Sequence, residues 1–195
     1  FSYLKCKPVY MVFLVGIIGS LTFTNNGFNN DIRVTSEQLV IANLMKKNER
    51  TKYCGTVIDG MSPSCIYGKG PVRAIVIGDS HAQAQIEGIG LRARMHGGTV
   101  IDWGLSACNT IKGLYSIFDN IKDDNCGKLV NNSLTKAEEQ FEGIPIIIIN
   151  RTSQNLYGLN EDKEVSPPNM FVDKIFKSRS DEYREILVSS MIDTI

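Results

Sequence analysis

The sequence predicts a three-layer α/β fold on a parallel sheet, preceded by one transmembrane helix. Two observations carry the sheet. Short apolar runs at residues 72–77 (VRAIVI), 99–103 (TVIDW) and 144–149 (IPIIII) have strand length and suit strands covered on both faces. Helical stretches follow the first and third, which gives the strand–helix–strand rhythm of a layered α/β domain. The third observation concerns the start of the chain. Residues 9–23 (VYMVFLVGIIGSLTF) carry no charge, and Lys5 and Lys7 stand just before them.

Composition narrows the function. Of 195 residues, 43% are hydrophobic and 22% charged, which is globular and not disordered. Lys+Arg and Asp+Glu are equal at 21 each, and no basic cluster exceeds Lys46-Lys47, so no nucleic-acid partner is expected. Two histidines, His81 and His96, are too few for a multi-His metal centre, and no metal or cofactor is expected. The chain starts at Phe1 and ends inside an apolar-periodic run. It reads as a piece of a longer protein, with a membrane segment at 1–30, a lead-in at 31–70 and the main domain at 71–195.

The uncharged run spans about 22 Å at about 1.5 Å per residue, against a hydrocarbon core of roughly 30 Å. Thr24 and the flanking aromatics lengthen it toward a spanning helix. The alternatives are a buried helix of a soluble domain and a secretory signal peptide. The run exits through Thr24-Asn25-Asn26-Gly27, which offers no A-x-A-like cleavage site. Lysines before the run and none directly after it place the N-terminus inside and the rest outside.

Cysteine usage fits an oxidising compartment. Cys54, Cys65, Cys108 and Cys126 follow the membrane segment and allow three connectivities. Local pairing, 54 with 65 and 108 with 126, closes loops of about ten and about eighteen residues, each worth roughly 2–3 kcal/mol. Neither pair has C-x-x-C spacing or a nearby histidine, so structural disulfides are favoured over a metal site.

Along the rest of the chain, a helix is expected from Ser36, and 53–70 reads as a loop. Residues 82–95 have helical composition and end at Gly97-Gly98, with His96 a surface or capping residue. Residues 108–140 form an insertion whose helix is expected from Thr135, where Thr135 and Glu138 have capping-box spacing. A last helix from Asp181 shows an apolar stripe of Tyr183, Ile186, Leu187 and Met191.

Ligands in such sheets bind beyond the carboxyl ends of the strands. Three loops leave those ends: 78–81, 104–107 and 150–153. Ser80 lies where a strand turns into a helix, which exposes its hydroxyl and sets its N–H at the helix's positive end. Gly104 lets a substrate approach the second loop's backbone and offers another N–H, and Asn150 or its successor adds a side-chain donor. Gly-Asp-Ser is also a common turn sequence. Metallophosphatases use Gly-Asp-x-His, but they continue with Gly where this chain has Ala82. No P-loop or dinucleotide fingerprint is present.

Residues 72–85 (VRAIVIGDSHAQAQ) resemble block I of the SGNH hydrolase superfamily in its Gly-Asp-Ser-His form. That form is typical of SGNH domains fused to the C-terminus of membrane acyltransferases, of the acyltransferase family 3 type, that O-acylate surface polysaccharides. The preceding helix resembles the last span of such proteins. The cysteines and the run Gly-Leu-Ser-Ala-Cys at 104–108 resemble the fused domain's pattern. The resemblance implies a three-layer, flavodoxin-like SGNH hydrolase fold. It makes Ser80 the nucleophile, and Ser80, Gly104 and Asn150 the oxyanion hole, with Arg151 the alternative at the third block.

It also implies serine-dependent acyl transfer, with acetyl the usual group. The acyl donor would come from the membrane domain and the acceptor would be a carbohydrate. The location would be the bacterial inner membrane, with the soluble domain facing the periplasm. The family's Asp-x-x-His does not occur in these 195 residues. The fold is therefore expected to be incomplete at its C-terminus, with the catalytic acid and base beyond Ile195. A plain esterase or deacetylase, and a non-catalytic glycan-binding domain, are the rival readings.

Overall fold

The computed structural model describes residues 2–25, 27, 35, 38, 50–158 and 167–195. The chain divides into two compact units, residues 1–46 and residues 47–195.

In the first unit, helix α1 spans Ser2–Thr24. From Val9 onward apolar side chains cover it all round: Val9, Met11, Phe13, Val15, Ile17, Ile18, Leu21 and Phe23 are all exposed. The hydroxyls of Thr22 and Thr24 fold back onto the carbonyls of Ile18 and Ser20 at 2.7 and 2.9 Å. The spanning helix expected from sequence is not found. Among the described residues, no helix is long and apolar enough to cross a membrane. The helix expected from Ser36 lies almost wholly outside the described residues. Thr35 and Gln38 do exchange two hydrogen bonds, of 3.0 and 3.2 Å, in capping-box fashion.

The second unit runs α2 (Thr51–Cys54), β1 (Cys65–Gly68), β2 (Val72–Gly78), α3 (Ser80–Met95), β3 (Thr99–Asp102), β4 (Tyr115–Phe118) and β5 (Ile121–Asp123). It continues with α4 (Asn125–Gln140), β6 (Ile146–Ile149), α5 (Thr152–Tyr157), β7 (Met170–Phe171) and α6 (Asp181–Ile192). The main sheet has the order β1-β3-β2-β6. β2 pairs in parallel with both β3 and β6, and β1 adds antiparallel to β3. The sheet is therefore mixed and not wholly parallel. Residues 65–68, read from sequence as loop, supply the antiparallel strand.

Alternation along β2 builds the three layers. Ala74 and Val76 join Ala82 and Ile86 of α3, with Cys54, Tyr67 and Val100, on one face. Ile75 and Ile77 join Ile101, Trp103 and Ala137 of α4 on the other, with Phe141 packed against them. Trp103 and Phe141 meet edge to face, with centroids 5.9 Å apart. Among the described residues β6 pairs with β2 alone, and its four isoleucines are only half-buried, as on an edge strand.

The insertion differs from its sequence reading. α4 begins at Asn125, ten residues before the expected Thr135, and buries Gly127, Leu129, Val130, Ser133 and Ala137 along one stripe. The disulfide Cys108–Cys126, with 18 residues of separation, fixes its first turn, and Cys54–Cys65 ties α2 to β1. A second sheet, β5-β4-β7, packs with α6 through Tyr115, Phe171, Tyr183 and Leu187. Tyr183 donates its hydroxyl to the Met170 carbonyl at 3.2 Å, and burial pushes its pKa up to about 12.

Candidate active site

β2 ends at Gly78 with φ of +152°. A Cβ there would lie 1.9 Å from the Ile149 carbonyl oxygen, so only glycine lets β6 pass this closely. Asp79 follows as the N-cap of α3, its carboxylate accepting the His81 N–H at 2.8 Å. Ser80 is therefore the first helical residue, and it is exposed. Its hydroxyl makes no hydrogen bond among the described residues.

Asp79 is 5% exposed and holds more than the cap. Its Oδ1 also accepts Nδ1 of the His81 ring at 3.0 Å, and its Oδ2 accepts the Arg151 N–H at 2.6 Å. One buried carboxylate thus joins the start of α3 to the loop after β6.

The loop after β3 is tied in by separate contacts. Leu105 donates its N–H to the Gly78 carbonyl at 2.9 Å. Gln83 of α3 reaches the Gly104 carbonyl at 3.3 Å and accepts the Ser106 hydroxyl at 2.8 Å. Thr110 donates its N–H to the Asn150 side-chain oxygen at 3.2 Å, and Asn150 Nδ2 donates to the Ile149 carbonyl at 3.2 Å. The three loops picked out by sequence do converge at the carboxyl ends of parallel strands.

Gly104 has another partner. Its N–H donates to Oδ1 of Asp102 at 2.8 Å, so in this structure it is directed at a side chain of its own strand. Asp102 is 1% exposed, and desolvation pushes its pKa up to about 6, against the lowering effect of the Gly104 N–H and the Arg50 charge. Asn109 is 3% exposed, and its Nδ2 has no hydrogen-bond partner among the described residues.

Among the described residues, no three His, Cys, Asp or Glu side chains gather as a metal site would need. Two shallow grooves of about 410 and 430 Å³ lie elsewhere, lined from Ile117 and Phe171 in one case and from Met61 and Lys136 in the other. His96 caps the end of α3 and is exposed, as expected for a capping residue.

Sequence reasoning missed Asp79, Asp102, Gln83 and Thr110 as organising residues. Two of them carried a signal. An Asp before the first helical residue is an N-cap pattern, and Asp-Trp-Gly at 102–104 has the Asx-turn spacing. Gln83 and Thr110 act across 21 and 40 residues, and nothing local marks them.

Residues 48–195 match a family model described as an SGNH domain (fused to AT3 domains). This chain belongs to that SGNH family. No curated protein and no solved structure matches it. The fold of the SGNH domain is of the esterase and acyltransferase type, and Ser80 of this domain stands at the turn from the central strand into a helix.

Proposed function

We propose that this SGNH domain performs serine-dependent O-acyl transfer to a cell-surface polysaccharide, on the periplasmic side of a bacterial inner membrane. The observation that carries the proposal is the exposed Ser80 at the first position of α3, with loops from all three neighbouring strands tied around it. The family's description as fused to AT3 domains supports a membrane partner that delivers the acyl group. The all-round apolar surface of α1 supports attachment to a nonpolar phase.

In this reading Ser80 Oγ attacks the donor's acyl carbon, a general base takes the serine proton, and the leaving group departs with that proton. The acceptor's hydroxyl oxygen then attacks the acyl-Ser80 ester. Its proton passes through the base to Ser80 Oγ as the ester bond breaks. The Ser80 N–H lies in the first turn of α3, where the helix supplies no carbonyl partner, and it serves the oxyanion. Gly104 joins when its N–H exchanges Asp102 for the oxyanion, and Asn150 is the third donor when its Nδ2 exchanges the Ile149 carbonyl for it. We assign the base to an Asp-x-x-His, which these 195 residues do not contain.

The test expresses the protein from its full reading frame in membranes and follows O-acetyl groups on surface polysaccharide. Ser80→Ala is expected to lower transfer by about 10³-fold or more. Unchanged transfer overturns the reading, and acetate released to water with none on saccharide replaces it with an esterase. The 195-residue chain alone is expected to show no Ser80-dependent turnover of p-nitrophenyl acetate. Robust turnover lost in Ser80→Ala would overturn the assignment of the base.

A further inference from the structure

The cap of α3 requires only the His81 backbone N–H, yet the same Asp79 oxygen also holds the His81 ring. A neutral imidazole that donates from Nδ1 keeps its lone pair on Nε2. That nitrogen makes no hydrogen bond among the described residues, and the His81 side chain is 47% exposed. Asp79 in turn is anchored by the Arg151 N–H, so the ring is fixed relative to both α3 and the loop after β6. His81 follows Ser80 directly in the first turn of α3, and among the described residues Ser80 Oγ and the His81 ring do not hydrogen-bond to each other.

A saccharide acceptor presents further O–H groups beside the one that is acylated, and each needs a lone pair to receive its hydrogen. Lysine and arginine cannot supply one, because both are donors only. We propose that His81, its tautomer set by Asp79, binds through Nε2, at the Ser80 site, a hydroxyl of the acceptor saccharide other than the one that is acylated. The proposal rests on the acyl-transfer reading, and the ligand class is a saccharide hydroxyl.

Two measurements test it. In the 195-residue chain, the ring nitrogens are observed by NMR while methyl α-D-glucopyranoside is added. The expected result is an Nδ1–H tautomer for His81 and a shift of its Nε2 resonance with added glucoside, while His96 does not respond. An Nε2–H tautomer, or a His81 ring indifferent to the sugar, overturns the proposal.

In the protein from the full reading frame, transfer to the same glucoside is compared with hydrolysis to water. His81→Ala is expected to lower the ratio of transfer to hydrolysis by about tenfold. His81→Gln, which retains an acceptor near the Nε2 position, is expected to recover part of that loss. An equal fall in both reactions, or no change in their ratio, also overturns it. If Ser80→Ala leaves both reactions intact, acyl transfer by Ser80 fails, while the NMR result still reports whether His81 meets the sugar.

Discussion

At Gly78 two strands come so close that a side chain has no place. A Cβ would lie 1.9 Å from a backbone carbonyl, and the φ of +152° disfavours any L residue. Gly78→Ala is therefore expected to cost about 3 kcal/mol or more, read as a lowered denaturant midpoint or loss of soluble protein. Asp102 makes a different expectation, in pH. Its folded pKa of about 6 lies above the ordinary 3.8, so the folded state holds the proton more tightly than the unfolded chain. Its contribution to stability is thus fullest below about pH 4, falls as pH rises toward about 6, and is flat beyond. Asp102→Asn keeps an acceptor for Gly104 and removes the buried charge. The variant should match the parent near pH 4 and exceed it near pH 7, by at most about 3 kcal/mol. Denaturant unfolding at both pH values checks this, and an equal gain at both would contradict it.

The elements differ in how far the sequence reveals them. β2, β3 and the helix after β2 are short-range features, written in apolar runs and a strand-to-helix Gly-Asp-Ser, and they appear within a residue or two of expectation. The mixed character of the sheet was hidden, because Cys65–Gly68 has too few residues to display a period. The insertion was hidden for another reason. Thr135 and Glu138 have capping-box spacing but lie well inside α4, whose start is set by Cys126 bridging to Cys108. A contact across 18 residues overrides a local cap. The site follows the same division: Ser80 was legible, whereas the bond from Thr110 to Asn150 was not. That bond lies beside the bridge, and it gives the element-scale expectation. Replacing Cys108 and Cys126 together by serine should cost about 3 kcal/mol by loop entropy. Amide exchange should also quicken at residues 109–111. Quickening spread evenly over both sheets would show that the bridge acts on stability alone.

At the scale of the whole molecule, balanced charge and an apolar appendage act on different properties. Equal numbers of basic and acidic residues give no net field to draw the chain to anionic lipid, so any attraction to a bilayer must come from apolar surface. That surface is on α1, where Phe23 is 86% exposed and Tyr10 72% exposed. From Val9 to Phe23 the helix sets aside no polar face for water, and the hydroxyls of Thr22 and Thr24 are satisfied within it. Residues 47–195 have their own cores on both faces of the main sheet and against α6. The two units should therefore separate in a flotation experiment with neutral phosphatidylcholine vesicles. The 195-residue chain is expected to rise with the vesicles, and residues 47–195 to stay in the aqueous fraction with a cooperative unfolding transition. Raising salt should leave the flotation unchanged, because burial of apolar area, and not charge, holds the chain to the vesicle. Flotation lost in high salt, or equal for both chains, would move the attachment from α1 to the surface of the SGNH domain.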